Sequence, residues 1–228
     1  MAKFSSLTSM SIGVGIATGL YGLSFGALST AAGLDLWQTQ VLSLLMFSGG
    51  SQFAFIGVIA AGGPAAVGAA IVSAWLLGVR NGFYAVKMNS VLQAAGFSKV
   101  IAAQLTIDES TGVSTAQEEL QEQRKGFWIT GASVFVFWNL MTFTGALLGN
   151  ALGDPSAWGL DAAAAAAFLG LLWPRLRERQ AFAVAALAFV VAVVTSPALP
   201  PGIPVIIAGA VALLVGGFNL FEAKKVGE

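Results

Sequence analysis

The 228-residue chain contains no cysteine and no histidine. Disulfides, thiol chemistry, Ser-His triads and the usual zinc sites are excluded together. Any group that handles protons must then be Asp, Glu, Lys or Tyr. Charge is scarce as well: 10% of residues are charged and the formal net charge is zero, against about a quarter charged in soluble domains. With no large basic cluster, nucleic acid is not an expected partner. No GxxxxGK[ST] loop is present, which excludes ATP hydrolysis by that route. No cofactor or metal ion is expected. Nor is catalysis: an intramembrane enzyme without His or Cys would need a Ser-Lys or paired-carboxylate arrangement, and no carboxylate pair falls in an apolar run.

What the chain has in abundance is apolar residues, at 57%, with a mean hydropathy of +0.81. This composition predicts an all-α polytopic membrane protein, one transmembrane domain over residues 1–228. Apolar runs place spans at Ser9–Ala32, Thr39–Gly62, Ala65–Val86, Phe127–Leu148, Leu160–Trp173, Ala181–Thr195 and Ile203–Phe221, about seven in all. The fifth and sixth are short for a hydrocarbon core of about 30 Å. They are tilted spans or half-helices buried in protein. Lys99, Arg124, Lys125, Arg175, Arg177, Arg179, Lys224 and Lys225 mark the cytoplasmic segments. Seven spans then put the N-terminus outside, a side that Lys3 does not favour.

The one long hydrophilic stretch, Ser98–Gly126, is expected to be cytoplasmic. Ser114 and Gln117 fit a capping box. Acids precede bases in the order the helix dipole favours, so one short helix is expected to lead into the fourth span. SFGALSTAAG (Ser24–Gly33) and FTGALLGNALG (Phe143–Gly153) resemble each other, as do GVRNGF and GGFNLF, hinting at internal repeats.

Three constellations stand out. Gly15, Gly19, Gly22 and Gly26 share one helix face, a packing surface for another backbone. The segment Ser48-Gly49-Gly50-Ser51-Gln52 interrupts an apolar run. A lipid-facing break would leave backbone groups unsatisfied, so a break must face protein, water or ligand; a continuous helix with small packing residues is the other reading. Arg80, Tyr84 and Lys87 share a helix face, with Lys87 placed to snorkel and Arg80 deeper. Asn139 and Thr142 suit an interhelical hydrogen bond. Asp108 and Glu109 are solvated charge, an ion-pair partner for Arg80, or a coupling pair.

In order and spacing these motifs resemble the AzlC-type family, the large subunit of bacterial branched-chain amino acid exporters. GGSQF, Arg80 and Tyr84 of GVRNGFY, the Asp108-Glu109 pair, WNLMTFTGALLG and GLDAAAAAAFLGLLWP carry the likeness, from about Gly15 to Gly217. Gly78 stands where that family often has Asn, and Asn81 where it often has His, so this chain does without that His. The resemblance implies a secondary transporter in the bacterial cytoplasmic membrane that exports Val, Leu, Ile and Met; a structural or regulatory membrane subunit, with transport carried by a partner, is the other reading of the residues. The resemblance also implies a separately encoded AzlD-type small membrane subunit. Its candidate substrate-binding residues are Ser48, Gly49, Gly50, Ser51, Gln52, Arg80, Asn81, Tyr84 and Asn139.

Overall fold

The computed structural model describes residues 2–152, 169 and 172–218. Most of the Leu160–Trp173 run, the GGFNLF tail and Lys224–Lys225 lie outside them. Among the described residues every regular element is helical: α1 (Ala2–Ala31), α2 (Leu36–Leu45), α3 (Gly49–Gly62), α4 (Val67–Leu92), α5 (Phe97–Gln104), α6 (Asp108–Thr115), α7 (Leu120–Leu152), α8 (Arg179–Thr195) and α9 (Ile203–Gly217). Three apolar helical stretches, Ser6–Ala31, Gly49–Leu92 and Leu120–Gly149, are long enough to cross a bilayer. The chain is an all-α membrane protein.

The glycine face of α1 finds its partner in α7. A Cβ at Gly15 would strike Ser133, one at Gly19 would strike Phe137, and one at Gly26 would strike the Thr142 carbonyl; from the other side, Gly145 meets Leu23 and Gly149 meets Ala27. Contact numbers rise together along both helices, so α1 and α7 run parallel. The likeness of Ser24–Gly33 to Phe143–Gly153 therefore marks two small-residue faces at the same level of one parallel pair. Corresponding helices of an inverted repeat would run antiparallel.

The second apolar run does not cross. It starts with a capping box: Gln38 N–H donates to Asp35 Oδ1 at 2.7 Å and Asp35 N–H donates to Gln38 Oε1 at 3.0 Å. α2 then ends at Met46 (φ −93°, ψ 58°), and Ser48 (φ −160°, ψ 80°) starts α3. The break is real, but it spans Met46–Ser48; Gly49–Gln52 form the first turn of α3. Beyond the break the chain turns back. Ile59 packs near Ala32 and Leu34, at the end of α1 from which α2 set out. Gly63 (φ +60°) and Pro64 then reverse it into α4. Ser51 faces Gly78 across the α3–α4 hairpin, so the apolar stretch Gly49–Leu92 is two helices side by side.

A second hairpin enters from the opposite end. α4 finishes where Arg124, near the start of α7, donates from Nε to Val91 O at 2.7 Å. α5 climbs from there until Gln104 Nε2 donates to Leu44 O at 2.7 Å, at the tip of the first hairpin. α6 descends again, its Val113 meeting Gly126. Ser98–Gly126 is thus α5, α6 and the start of α7, folded into the bundle, where a single short helix was expected. The Ser114–Gln117 capping box does not form: Ser114 lies in α6 with its Oγ buried and unpartnered, and Gln117 Nε2 donates back to Val113 O at 3.2 Å.

α8 and α9 form a hairpin joined through Ser196–Gly202. α9 runs parallel to α4, with Gly202 against Ala69 and Gly209 against Leu76. The start of α1 (Leu7 touches Gly126), the α4–α5 and α6–α7 junctions, and Arg177 and Arg179 consequently share one end. The count behind the expected outside N-terminus changes, because the second apolar run doubles back and adds no crossing, and the start of α1 lies at the same end as Arg124. The cysteine-free sequence makes this directly testable. An impermeant maleimide should label Ser6→Cys and Ser98→Cys from one face of the membrane and Ser196→Cys from the other. Labelling of Ser6→Cys and Ser196→Cys from the same face would refute the topology.

Candidate functional site

The two hairpin tips meet between α1, α4 and α7, and there they enclose a cavity of about 310 Å³, within the range of small-molecule sites. Its walls divide by chemistry. Phe47, Phe53, Ile107, Val134 and Trp138 are apolar; Thr18, Ser48, Arg80, Asn81, Asp108 and Glu109 are polar or charged. Charge at this depth is costly and marks function by default.

Arg80 on α4 reaches the start of α6, where its Nη1 lies 2.8 Å from Asp108 Oδ2. The pair is monodentate: Arg80 Nε and Asp108 Oδ1 are buried without partners. Glu109 makes no ion pair among the described residues, although Thr18 is close enough to hydrogen-bond it. The cavity therefore brings one guanidinium and two carboxyl groups together, with one of the two carboxyls paired to the guanidinium. Both acids sit in the first turn of α6, where the helix dipole favours them.

The two tips differ in how their backbone is satisfied. At the second, Ile107 N–H donates to Ser110 Oγ (3.1 Å), Ser110 Oγ donates to Leu105 O (2.6 Å), and Thr106 Oγ1 donates to Ala102 O (2.7 Å). At the first, Ser51 and Gln52 N–H both donate to Ser48 O. The Gly49 and Gly50 N–H groups find no acceptor among the described residues, and both residues line the cavity. Two free donors at a positive helix end form an anion-accepting edge. Glycine suits the position, because a Cβ on Gly49 would press on Trp138 at 3.1 Å.

Toward the α1–α2 turn the cavity ends in a stack of aromatic rings. Phe25 and Phe53 meet edge-on at 5.8 Å, Phe25 and Trp138 stack at 6.1 Å, and Phe53 and Trp138 meet edge-on at 6.2 Å. Such pairs contribute about 0.5–1.5 kcal/mol each beyond burial, so this layer is a firm closure.

Of the residues singled out in the sequence, Ser48, Gly49, Gly50, Arg80, Asn81, Asp108 and Glu109 line the cavity; Ser51, Gln52, Tyr84 and Asn139 do not. Asn139 instead donates to Phe135 O at 2.8 Å and accepts from Gln40. Thr18, Tyr21, Phe47, Phe53, Ile107, Val134 and Trp138 were missed. Phe53 and Trp138 carried a hint, in the GGSQF and WNL motifs; the rest look like ordinary residues of apolar helices.

Gln52 is fully buried with both side-chain polar atoms unpartnered. Replacing an unsatisfied buried amide by an apolar group of similar size is neutral or stabilising. Gln52→Leu should therefore keep apparent substrate affinity within about twofold and leave the melting temperature unchanged or raised; a direct ligand would lose about tenfold for about 1.4 kcal/mol. Initial-rate transport in proteoliposomes decides between the two.

Broken half-helices meeting at a polar cavity inside an apolar bundle are the architecture of membrane transport proteins. The family comparison makes the assignment specific: residues 13–152 match the family described as AzlC protein, and the chain belongs to that family, which is associated with branched-chain amino acid transport. The match runs from α1 through α7 and takes in both hairpins and every cavity residue; α8 and α9 lie beyond it. No curated protein and no solved structure matches the chain.

Proposed function

We propose that the protein is a secondary transporter that exports branched-chain amino acids across the bacterial cytoplasmic membrane, as the large subunit of a two-component exporter. The observation that carries this reading is the division of the cavity wall. A zwitterion with an apolar side chain needs donors for its carboxylate, an acceptor for its ammonium and a dry surface for the rest. The Gly49 and Gly50 N–H groups, with the unpartnered Arg80 Nε nearby, supply the first. Glu109, which makes no ion pair among the described residues, supplies the second. Phe47, Ile107, Val134 and Trp138 supply the third.

In this reading the Phe25–Phe53–Trp138 layer is the closed gate on the side away from the basic residues. Basic residues favour the cytoplasm, so release proceeds past the aromatic layer to the outside. Coupling to an ion gradient falls to Asp108 and Glu109, since the chain has no His.

The test is flux of labelled Leu, Ile, Val and Met from preloaded proteoliposomes, with and without a co-reconstituted small AzlD-type subunit. Saturable efflux of these amino acids that basic or acidic ones do not compete with is the expected result. Absence of flux for every hydrophobic amino acid in both preparations would overturn the proposal.

A further inference from the structure

A second, more open groove of about 620 Å³ runs along the outer side of α4, past both hairpin tips. Its floor includes Met46–Ser48 and Thr106, where the backbone leaves the helix. Non-helical backbone at bilayer depth is tolerated only when protein or water covers it. Water does not suit these walls, because Leu45 is 75% exposed and Trp75 is 73% exposed.

The α4 wall carries Ala74, Gly78 and Gly82 at helical spacing of four. Such a stripe lets a neighbouring backbone come close. On α1 every glycine of the equivalent stripe is used by α7. Among the described residues α4 makes no such use: a Cβ at Gly82 would meet nothing within 4 Å, and one at Gly78 only Ser51 Oγ at 3.5 Å. The combination of an uncovered hairpin tip and an unspent small-residue stripe calls for a helix.

A second copy fits poorly. A two-fold contact pairs a surface with itself, and a groove laid against the same groove leaves both empty. A convex element from a different chain fills it. Charge indicates how that element ends. Lys99 lies one turn from Ala103 along α5 toward the basic end, Lys87 is exposed on the neighbouring part of α4, and neither has an acidic partner among the described residues. We infer that this groove seats a single transmembrane helix of another protein, apolar along its length and carrying Asp or Glu at the end beside Lys99. The inference rests on the membrane placement of the fold and not on which substrate is carried.

In situ photocrosslinking in the cell of origin tests it. Trp75→benzoyl-Phe and Val79→benzoyl-Phe should each yield an adduct with another polypeptide. Mass spectrometry should locate the crosslink in an apolar segment of about 20 residues with Asp or Glu flanking one end. Phe189→benzoyl-Phe, on the exposed face of α8, should give lipid adducts only. Gly82→Phe should remove the Trp75 adduct without lowering the yield of folded protein, and Lys99→Glu should reduce it about two- to fivefold. Adducts of the chain with itself, lipid adducts alone at positions 75 and 79, or an adduct indifferent to both Gly82→Phe and Lys99→Glu would overturn the inference.

Discussion

Glu109→Gln is expected to weaken apparent substrate affinity by about 10- to 150-fold while leaving expression and thermal stability near normal. Asp108 is already committed to Arg80 at 2.8 Å, which leaves Glu109 as the carboxylate available to a bound ammonium. A charge-assisted hydrogen bond contributes about 1.5–3 kcal/mol, and that loss converts to the stated range. Gln keeps the size and one carbonyl oxygen, so packing against Thr18 is little changed. Glu109→Asp should recover part of the loss, because the charge is kept and only the reach shortens. Asp108→Asn should behave differently: it strips Arg80 of its counter-ion, and the yield of folded protein should fall. Equal transport by Glu109→Gln and wild type, measured as initial efflux against internal concentration, would remove Glu109 from the binding site.

Gly26→Leu is expected to give no folded protein at all. A Cβ there would overlap the Thr142 carbonyl and crowd Ala146 N, and backbone atoms cannot rotate aside as a side chain can. Overpacking against side chains costs about 1–3 kcal/mol; against backbone the α1–α7 contact itself must open, out of a total stability of about 5–15 kcal/mol. Gly13→Leu, where a Cβ meets nothing within 4 Å, serves as the control and should be neutral. The measurement is the monodisperse fraction after detergent extraction. A well-folded Gly26→Leu variant would mean that α1 and α7 are not in backbone contact.

The helical class, the membrane setting and the glycine face of α1 were legible in the sequence, because composition and a period of 3.6 record burial directly. The sequence marked where a break could fall but not that one exists, because glycine and small polar residues in an apolar run equally suit a continuous helix packed against a neighbour. What hydropathy cannot record is direction. Thr39–Gly62 has the length and apolarity of a span, yet the chain reverses at Phe47, a residue with no turn signature. Conversely, Ser98–Gly126 is polar enough to pass for a loop. Its polar atoms are spent inside the fold: Ser110 and Thr106 on the second tip, and Asp108 on Arg80. Cavity walls such as Ile107 and Val134 stayed invisible because one apolar face looks like another until the tips are brought together.

The α1–α7 pairing also sets a timetable. Ser133, which Gly15 meets, is made 118 residues later in the chain. At about 5–20 residues per second, the glycine face of α1 waits roughly 6–24 s on the ribosome for its partner. Throughout that interval it lies beside lipid with a surface built to accept another backbone. A chain that stalls after α4 therefore exposes a ready dimerisation face, and premature termination should yield helix-paired aggregates where inert fragments might otherwise be expected.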